Sequence, residues 1–256
     1  MPKKGKIKNR IGEKGINNFG NEMIIVNQYQ KYNADETKVI TYIDIYFPKY
    51  NCIIYEETYS HFNKGYIKCP YEPRVYGVGY LGEGEYSFLK NKNIYDKWVQ
   101  MLKRCYDDNY LNKNKSYLNV KVCEEWHNFQ NFAEWYKENY YEIEGEKMQL
   151  DKDILVKGNK IYSPSTCIFV PQRINNLFEI KNKSNGLPLG VSKHGNKFRT
   201  RIDNKYSSFD TVDEAFEYYK TYKENLIKQV ADEYKSYIPQ KLYKIMYNYK
   251  IEEEEE

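Results

Sequence analysis

Apolar positions fall into three textures along the chain. Over about residues 1–75 they come as short β-branched and aromatic runs: Met23 to Val26, Thr41 to Phe47 and Cys52 to Tyr59. Gly, Asn and Pro separate these runs, which predicts strands. Alternation in the middle run puts Tyr42, Asp44 and Tyr46 on one face and Ile43, Ile45 and Phe47 on the other, so one face packs and one is wet. Beyond residue 76 the spacing becomes helical. Trp98, Met101, Leu102 and Cys105 sit at i, i+3, i+4 and i+7, and a second helix over 128–139 points Phe129, Phe132 and Tyr136 inward. Leu150 to Phe178 reads as a short strand, a Gly158-Asn159 turn, a second strand about Cys167 to Val170, and a helix begun by Pro171 that carries Asn175 and Asn176.

The third texture starts at the break Gly186 to Pro188. Three short strands are predicted between Gly190 and Phe209, with turns at His194-Gly195-Asn196 and Asp203-Asn204. Thr211 followed by Glu214 is a capping box for a helix to about Tyr234, and Pro239 sets off a last helix over about Leu242 to Tyr249. The fold expected is α+β. It has a small N-terminal β domain (1–75), a central β-hairpin–helix domain (76–182), a three-stranded sheet plus helix (183–251), and an acidic tail (252–256).

Composition narrows the class. Charged residues make up 30% of the chain, but 17% are aromatic, including 29 tyrosines, too many for a disordered polypeptide. No run approaches the ~18 apolar residues of a membrane span, and no apolar stretch follows the basic opening MPKKGKIKNR. A soluble, cytoplasmic chain with no membrane partner is expected. Cys52, Cys69, Cys105, Cys123 and Cys167 contain no CxxC pair and have no matching His cluster, which argues for reduced thiols rather than a zinc site. The net charge of +4 already includes the five carboxylates of the tail, so the body is more basic than that figure, and an anionic partner fits. Six Lys/Arg against one Glu in residues 1–14 form a basic arm.

The basic excess is sharpest near the C-terminus. Residues 183–209 hold Lys183, Lys193, Lys197, Arg199, Arg201 and Lys205 against Asp203 alone, with His194 in a turn among them. By parity Arg199 and Arg201 share one strand face, opposite Phe198, Thr200 and Ile202. One face then packs on the helix while the other presents two guanidiniums, as a sheet reading the DNA major groove would.

The stretch GVSKHGNKFRTRI with SFDTVDEAFEYYKTYKE resembles the three-stranded-sheet-plus-helix DNA-binding domain of plant ethylene-response factors. It keeps Gly190-Val191, Arg199, Arg201, Phe209-Asp210-Thr211 and Glu214-Ala215, with Ser208 where that family has Gly. The same module ends many phage HNH homing endonucleases, and the middle of the chain resembles those enzymes in order. The matching anchors are Trp98, Met101-Leu102, Arg104-Cys105-Tyr106, Val122-Cys123-Glu124-Glu125-Trp126, Phe129, Phe132, Leu150-Asp151-Lys152-Asp153, Tyr162-Ser163-Pro164, Cys167 and Asn175-Asn176. The likeness covers about residues 76–235.

What the resemblance implies is a metal-dependent DNA endonuclease, acting on double-stranded DNA in a phage-infected bacterial cell, with Mg²⁺ or another divalent metal. Asp151 corresponds to the first-strand metal carboxylate, and Asn175 or Asn176 to the helix ligand. Lys152 stands where active members place the His base, and Thr166 replaces the loop-pinning Asn. Water activation would then fall to Asp153 or to His127, with Lys152 neutralising the phosphate. His127 reads more readily as a half-buried polar residue after Trp126, and Asp151 and Asp153 equally well as structural ion-pair partners. Lys193, His194, Lys197, Arg199, Arg201 and Lys205 are the DNA-binding set. The alternatives are a DNA-binding protein that keeps the nuclease frame without catalysis, and a phage inhibitor of a host enzyme.

Overall fold

The computed structural model describes residues 6–178, 186–202 and 205–251. The chain is α+β. It forms two compact units, Met1–Leu118 with Val122–Glu134, and Asn119–Lys121 with Trp135–Glu256. The division runs through the middle section of the sequence, inside a helix. Lys183, the Asp203-Asn204 turn, the start of the basic arm and the acidic tail lie outside the described residues.

In the first unit, β1 (Lys14–Ile16), β2 (Glu22–Tyr32), β3 (Val39–Phe47) and β4 (Cys52–Glu57) pair in sequential order as an antiparallel sheet. Alternation along β3 works as expected for the packed face: Ile43, Ile45 and Phe47 are buried with Met23, Ile25 and Phe62, the last from α1 (Tyr59–Asn63). The wet face is a correction. Asp44 is only 6% exposed and accepts from Asn27 Nδ2 at 2.9 Å, Tyr29 OH at 3.2 Å and the Glu56 backbone N–H at 3.1 Å. Register shifts at Ile25/Asn27 and Ile43/Ile45 flank it, and three donors are enough to hold a covered carboxylate.

Helix α2 (Lys92–Tyr106) buries Ile94, Trp98, Met101, Leu102 and Cys105, the stripe read from the spacing. The Trp98 Nε1–H donates to the Trp126 carbonyl at 2.7 Å, and Phe129 packs on the Trp98 ring with centroids 5.4 Å apart. Trp98 and Trp126 are fully covered, so they are core residues. A short α3 (Asp108–Lys113) and the two-residue strand β5 (Lys121–Val122) follow, and α4 (Phe129–Asn139) passes from the first unit into the second.

The second unit contains β6 (Met148–Asp151), β7 (Ile161–Tyr162), β8 (Ile168–Pro171), α5 (Gln172–Phe178), β9 (Val191–His194), β10 (Lys197–Ile202), β11 (Lys205–Phe209), α6 (Val212–Tyr234) and α7 (Gln240–Tyr247). Strands β6 and β8 pair antiparallel, with Asp151 opposite Ile168. Pro171 closes β8, opposite Met148, and α5 starts one residue later than its proline suggested. Strands β9 and β11 flank β10 in a separate antiparallel sheet.

Helix α6 joins these parts. Thr211 and Glu214 form the expected capping box, and at 1.5 Å per residue its 23 residues extend about 35 Å. Near its start Ala215 and Phe216 pack with Val191 of the sheet. Farther along, Ile227, Val230, Ala231 and Tyr234 pack with Ile168 and Val170 of β8, Ile174 of α5, and Leu242 and Met246 of α7. Glu224 is buried midway, accepting from Lys250 Nζ at 2.6 Å and the Ile251 N–H at 3.0 Å, which ties the end of the described chain back to α6. Gly190, the opener of the sheet, has φ +77° and faces the Tyr219 ring of α6 so closely that no side chain fits there.

Since Ile227 is fully buried in the shared core, Ile227→Ala should cost about 2–5 kcal/mol. Denaturant unfolding of the variant checks this. A loss under about 1 kcal/mol would mean that α6 is not the common support.

Candidate functional site

The basic residues of the C-terminal sheet divide by register. Arg199 pairs across β10 with Ser192 on one side and Ser208 on the other, Arg201 pairs with Tyr206, and Lys197 pairs with His194. These positions share the face opposite α6. Phe198, Thr200 and Ile202 have the other parity, with Thr200 and Ile202 buried. Lys193 pairs with Phe198 and Lys205 with Ile202. The two lysines therefore belong to the helix-side parity, at the sheet's two edges, and are not part of the outer face. Of the six residues expected to bind DNA, His194, Lys197, Arg199 and Arg201 share the outer face, and Lys193 and Lys205 are exposed at the sheet's edges.

Tyr206 joins this face, and sequence reading passed over it. The residue is 58% exposed, and the guanidiniums of Arg199 and Arg201 lie 5.0 and 5.5 Å from its ring centroid. The pairing of residue 201 with 206 across the β10–β11 turn is the signal that would have found it. The Arg199 Nε is covered and has no hydrogen-bond partner among the described residues, and its guanidinium carbon lies 5.0 Å from the Tyr206 ring centroid. Lys197 Nζ meets Asp210 Oδ1 at 2.9 Å, an exposed pair of little strength that a phosphate can displace. The tight turn that aligns β9 with β10 uses Gly195 at φ +61°.

The carboxylates of the hairpin do a different job. Asp151 Oδ1 accepts the backbone N–H of Asp153 at 2.8 Å and of Ile154 at 2.7 Å, closing the chain into a turn where β6 ends. Burial, followed by the neighbouring Asp153 charge, pushes the Asp151 carboxyl up to about 6, against the pull of those N–H bonds. Lys152 is buried, with its Nζ 2.9 Å from Asp153 Oδ2 and over the Tyr162 ring at 5.9 Å. Its carbonyl accepts from Asn159 Nδ2 at 2.7 Å. Lys152 and Asp153, both expected near the chemistry, are thus paired with each other.

The helix ligands fare similarly. Gln149, on the same face of β6 as Asp151, donates to Gln172 Oε1 at 2.6 Å, and Gln172 Nε2 donates to Asn176 Oδ1 at 2.7 Å. The oxygen that Asn176 would offer a cation is thus already engaged. Asn175 is half-buried on α5. His127 belongs to the first unit, where its Nε2 lies 3.3 Å from the Tyr106 hydroxyl and burial lowers its pKa. Tyr106 OH also receives the Val122 N–H at 3.0 Å, so the Tyr106, Val122 and His127 anchors act as a structural clasp.

A divalent ion needs several hard oxygen donors held together. Here one carboxylate closes a turn, the second holds an ammonium, and the amide oxygen is bonded. Among the described residues no three His, Cys, Asp or Glu side chains converge. Of the expected ligands, Asp151 Oδ1 and Asn176 Oδ1 are thus already engaged within the fold.

Asp151 supplies a pH test. Its carboxyl titrates near 3.9 in an unfolded chain but is raised to about 6 in the fold. The proton it holds therefore stabilises the fold below about pH 4, and that contribution is lost as pH rises through about 6. Asp151→Asn keeps the Oδ1 acceptor and removes the charge. Melting curves should show the variant gaining on the wild type between about pH 4 and 7. A gap that stays constant with pH would rule out a buried, perturbed carboxylate.

No helix among the described residues is long and apolar enough to cross a membrane. Comparison with known proteins finds no matching family model, no matching curated protein and no matching solved structure.

Proposed function

We propose that this chain binds duplex DNA through the outer face of β9–β11, on a hairpin–helix frame of the phage HNH type that does not cut. One observation carries the reading: Lys197, Arg199 and Arg201 occupy alternate positions of a single central strand, on the face opposite α6, with Tyr206 beside the two guanidiniums. A pleated face of this kind suits a major groove about 12 Å wide, where Arg donates in pairs to guanine. Lys197 and His194 at the hairpin tip suit phosphates, which set register without reading sequence. The helix-backed sheet keeps these groups aligned before binding, so little ordering is needed on contact.

The metal-dependent endonuclease stands as the second reading. It is favoured by the order β6, β8, α5 with Asp151 at the end of the first strand. The closed turn and the Lys152–Asp153 pair weigh against it.

Fluorescence anisotropy with labelled duplexes tests the first reading. Wild-type affinity should fall with salt at a slope of about −0.9 per phosphate contacted. Arg199→Ala and Arg201→Ala should each cost about 1–3 kcal/mol and relax sequence preference, while Lys197→Ala weakens all duplexes alike. Lys193→Ala and Lys205→Ala should matter less than any of these. Absence of duplex binding, or equal losses at Lys193 and Arg199, would overturn the reading. Nicking of long DNA with Mg²⁺ or Mn²⁺ that disappears in Asp151→Ala would restore the endonuclease.

A further inference from the structure

The outer face of β9–β11 is a regular grid of side chains. Across the ladder Lys197 stands beside His194, Arg199 between Ser192 and Ser208, and Arg201 beside Tyr206. Among these described residues Tyr206 alone is a large hydrophobic group. It is 58% exposed even with two guanidiniums 5.0 and 5.5 Å from its ring centroid. Orienting the arginines therefore uses only part of the ring, and the remainder is open to whatever meets this face.

The surroundings leave room for a flat partner. Both neighbours of Arg199 are serines, and the Ser192 hydroxyl donates back to the Arg199 carbonyl at 3.1 Å, which holds it close to the strand. Neighbouring strands lie about 4.8 Å apart, against a rise of about 3.4 Å per base pair. Arg201 and Tyr206 pair directly across the ladder, so in a major groove they address the same or adjacent base pairs. There guanine offers an arginine two acceptors, whereas thymine offers an apolar contact, its 5-methyl group. Cytosine gains the same group at the same carbon when it is methylated. An open aromatic ring meets such a methyl by burying apolar surface, a contact that the ammonium, guanidinium and hydroxyl groups of this face do not supply.

We propose that Tyr206 determines specificity, by packing its ring on the 5-methyl group of a pyrimidine next to the guanine that Arg199 or Arg201 contacts. The inference rests on the DNA-binding reading and adds a second kind of base contact to it. The arginines read hydrogen-bond acceptors, and the tyrosine reads an apolar methyl.

Selection from a random duplex library with the wild-type chain supplies the probe, and fluorescence anisotropy is the readout. The selected duplex is compared with versions in which uracil replaces each thymine in turn, and in which each cytosine in turn carries a 5-methyl group. At one position uracil should weaken wild-type binding about fourfold, which assigns the contact to thymine, or methylation should strengthen it about fourfold, which assigns it to 5-methylcytosine. Tyr206→Phe should keep this discrimination. Tyr206→Ser and Tyr206→Gln should each abolish it, with circular dichroism to establish folding. If both of these variants weaken every duplex equally and still discriminate the methyl, the ring serves only to position the arginines and the proposal is overturned. A wild type indifferent to every 5-methyl group overturns it as well, and the DNA-binding reading then stands if Arg199→Ala loses affinity. If no duplex is selected, that reading fails and the inference falls with it.

Discussion

Helix α6 is buried by two different partners along one continuous apolar stripe. Its first turns are covered by the β9–β11 sheet and its later turns by β8, α5 and α7. A single rigid helix of 23 residues cannot satisfy both cores unless they sit at a fixed distance and rotation about its axis. The sheet that presents Arg199 and Arg201 is therefore locked to the hairpin–helix frame.

The turn after β6 commits its charged side chains to the backbone and to one another. A carboxylate at a strand end can ligate a cation or hold backbone N–H groups. Two short N–H contacts commit one Asp151 oxygen to the turn. The next residue then brings its own cation: buried Lys152 needs a counter-charge and finds it in Asp153. The raised Asp151 carboxyl is the electrostatic trace of keeping one buried carboxyl beside another charged one.

The sheet divides its labour by parity. Phe198, Thr200 and Ile202 face α6 and fix the strand, while Lys197, Arg199 and Arg201 face outward with Tyr206 beside the two guanidiniums. An aromatic ring within cation–π distance of two guanidiniums helps to orient them on that face.

Much of the fold was legible in local pattern. The α2 stripe, the Thr211–Glu214 cap, the order of hairpin and helix, and the facing of Arg199 and Arg201 all depend on neighbours within a few residues, where periodicity and capping chemistry act. Other features were not legible because they depend on cross-strand register and on which distant groups meet. Asp44 alternates as a wet residue, yet bulged pairing covers it with three donors. Lys193 and Lys205 carry the right charge, but their pairing with Phe198 and Ile202 sets them on the other face. Asp151, Lys152 and Asp153 look alike as candidates for chemistry, and only burial and hydrogen bonding decide which closes a turn and which pair neutralise each other. By itself the sequence determined the elements and their amphipathic faces, since those follow from backbone period and side-chain type. The tertiary structure alone decided which charges share a surface, since that depends on long-range packing around α6.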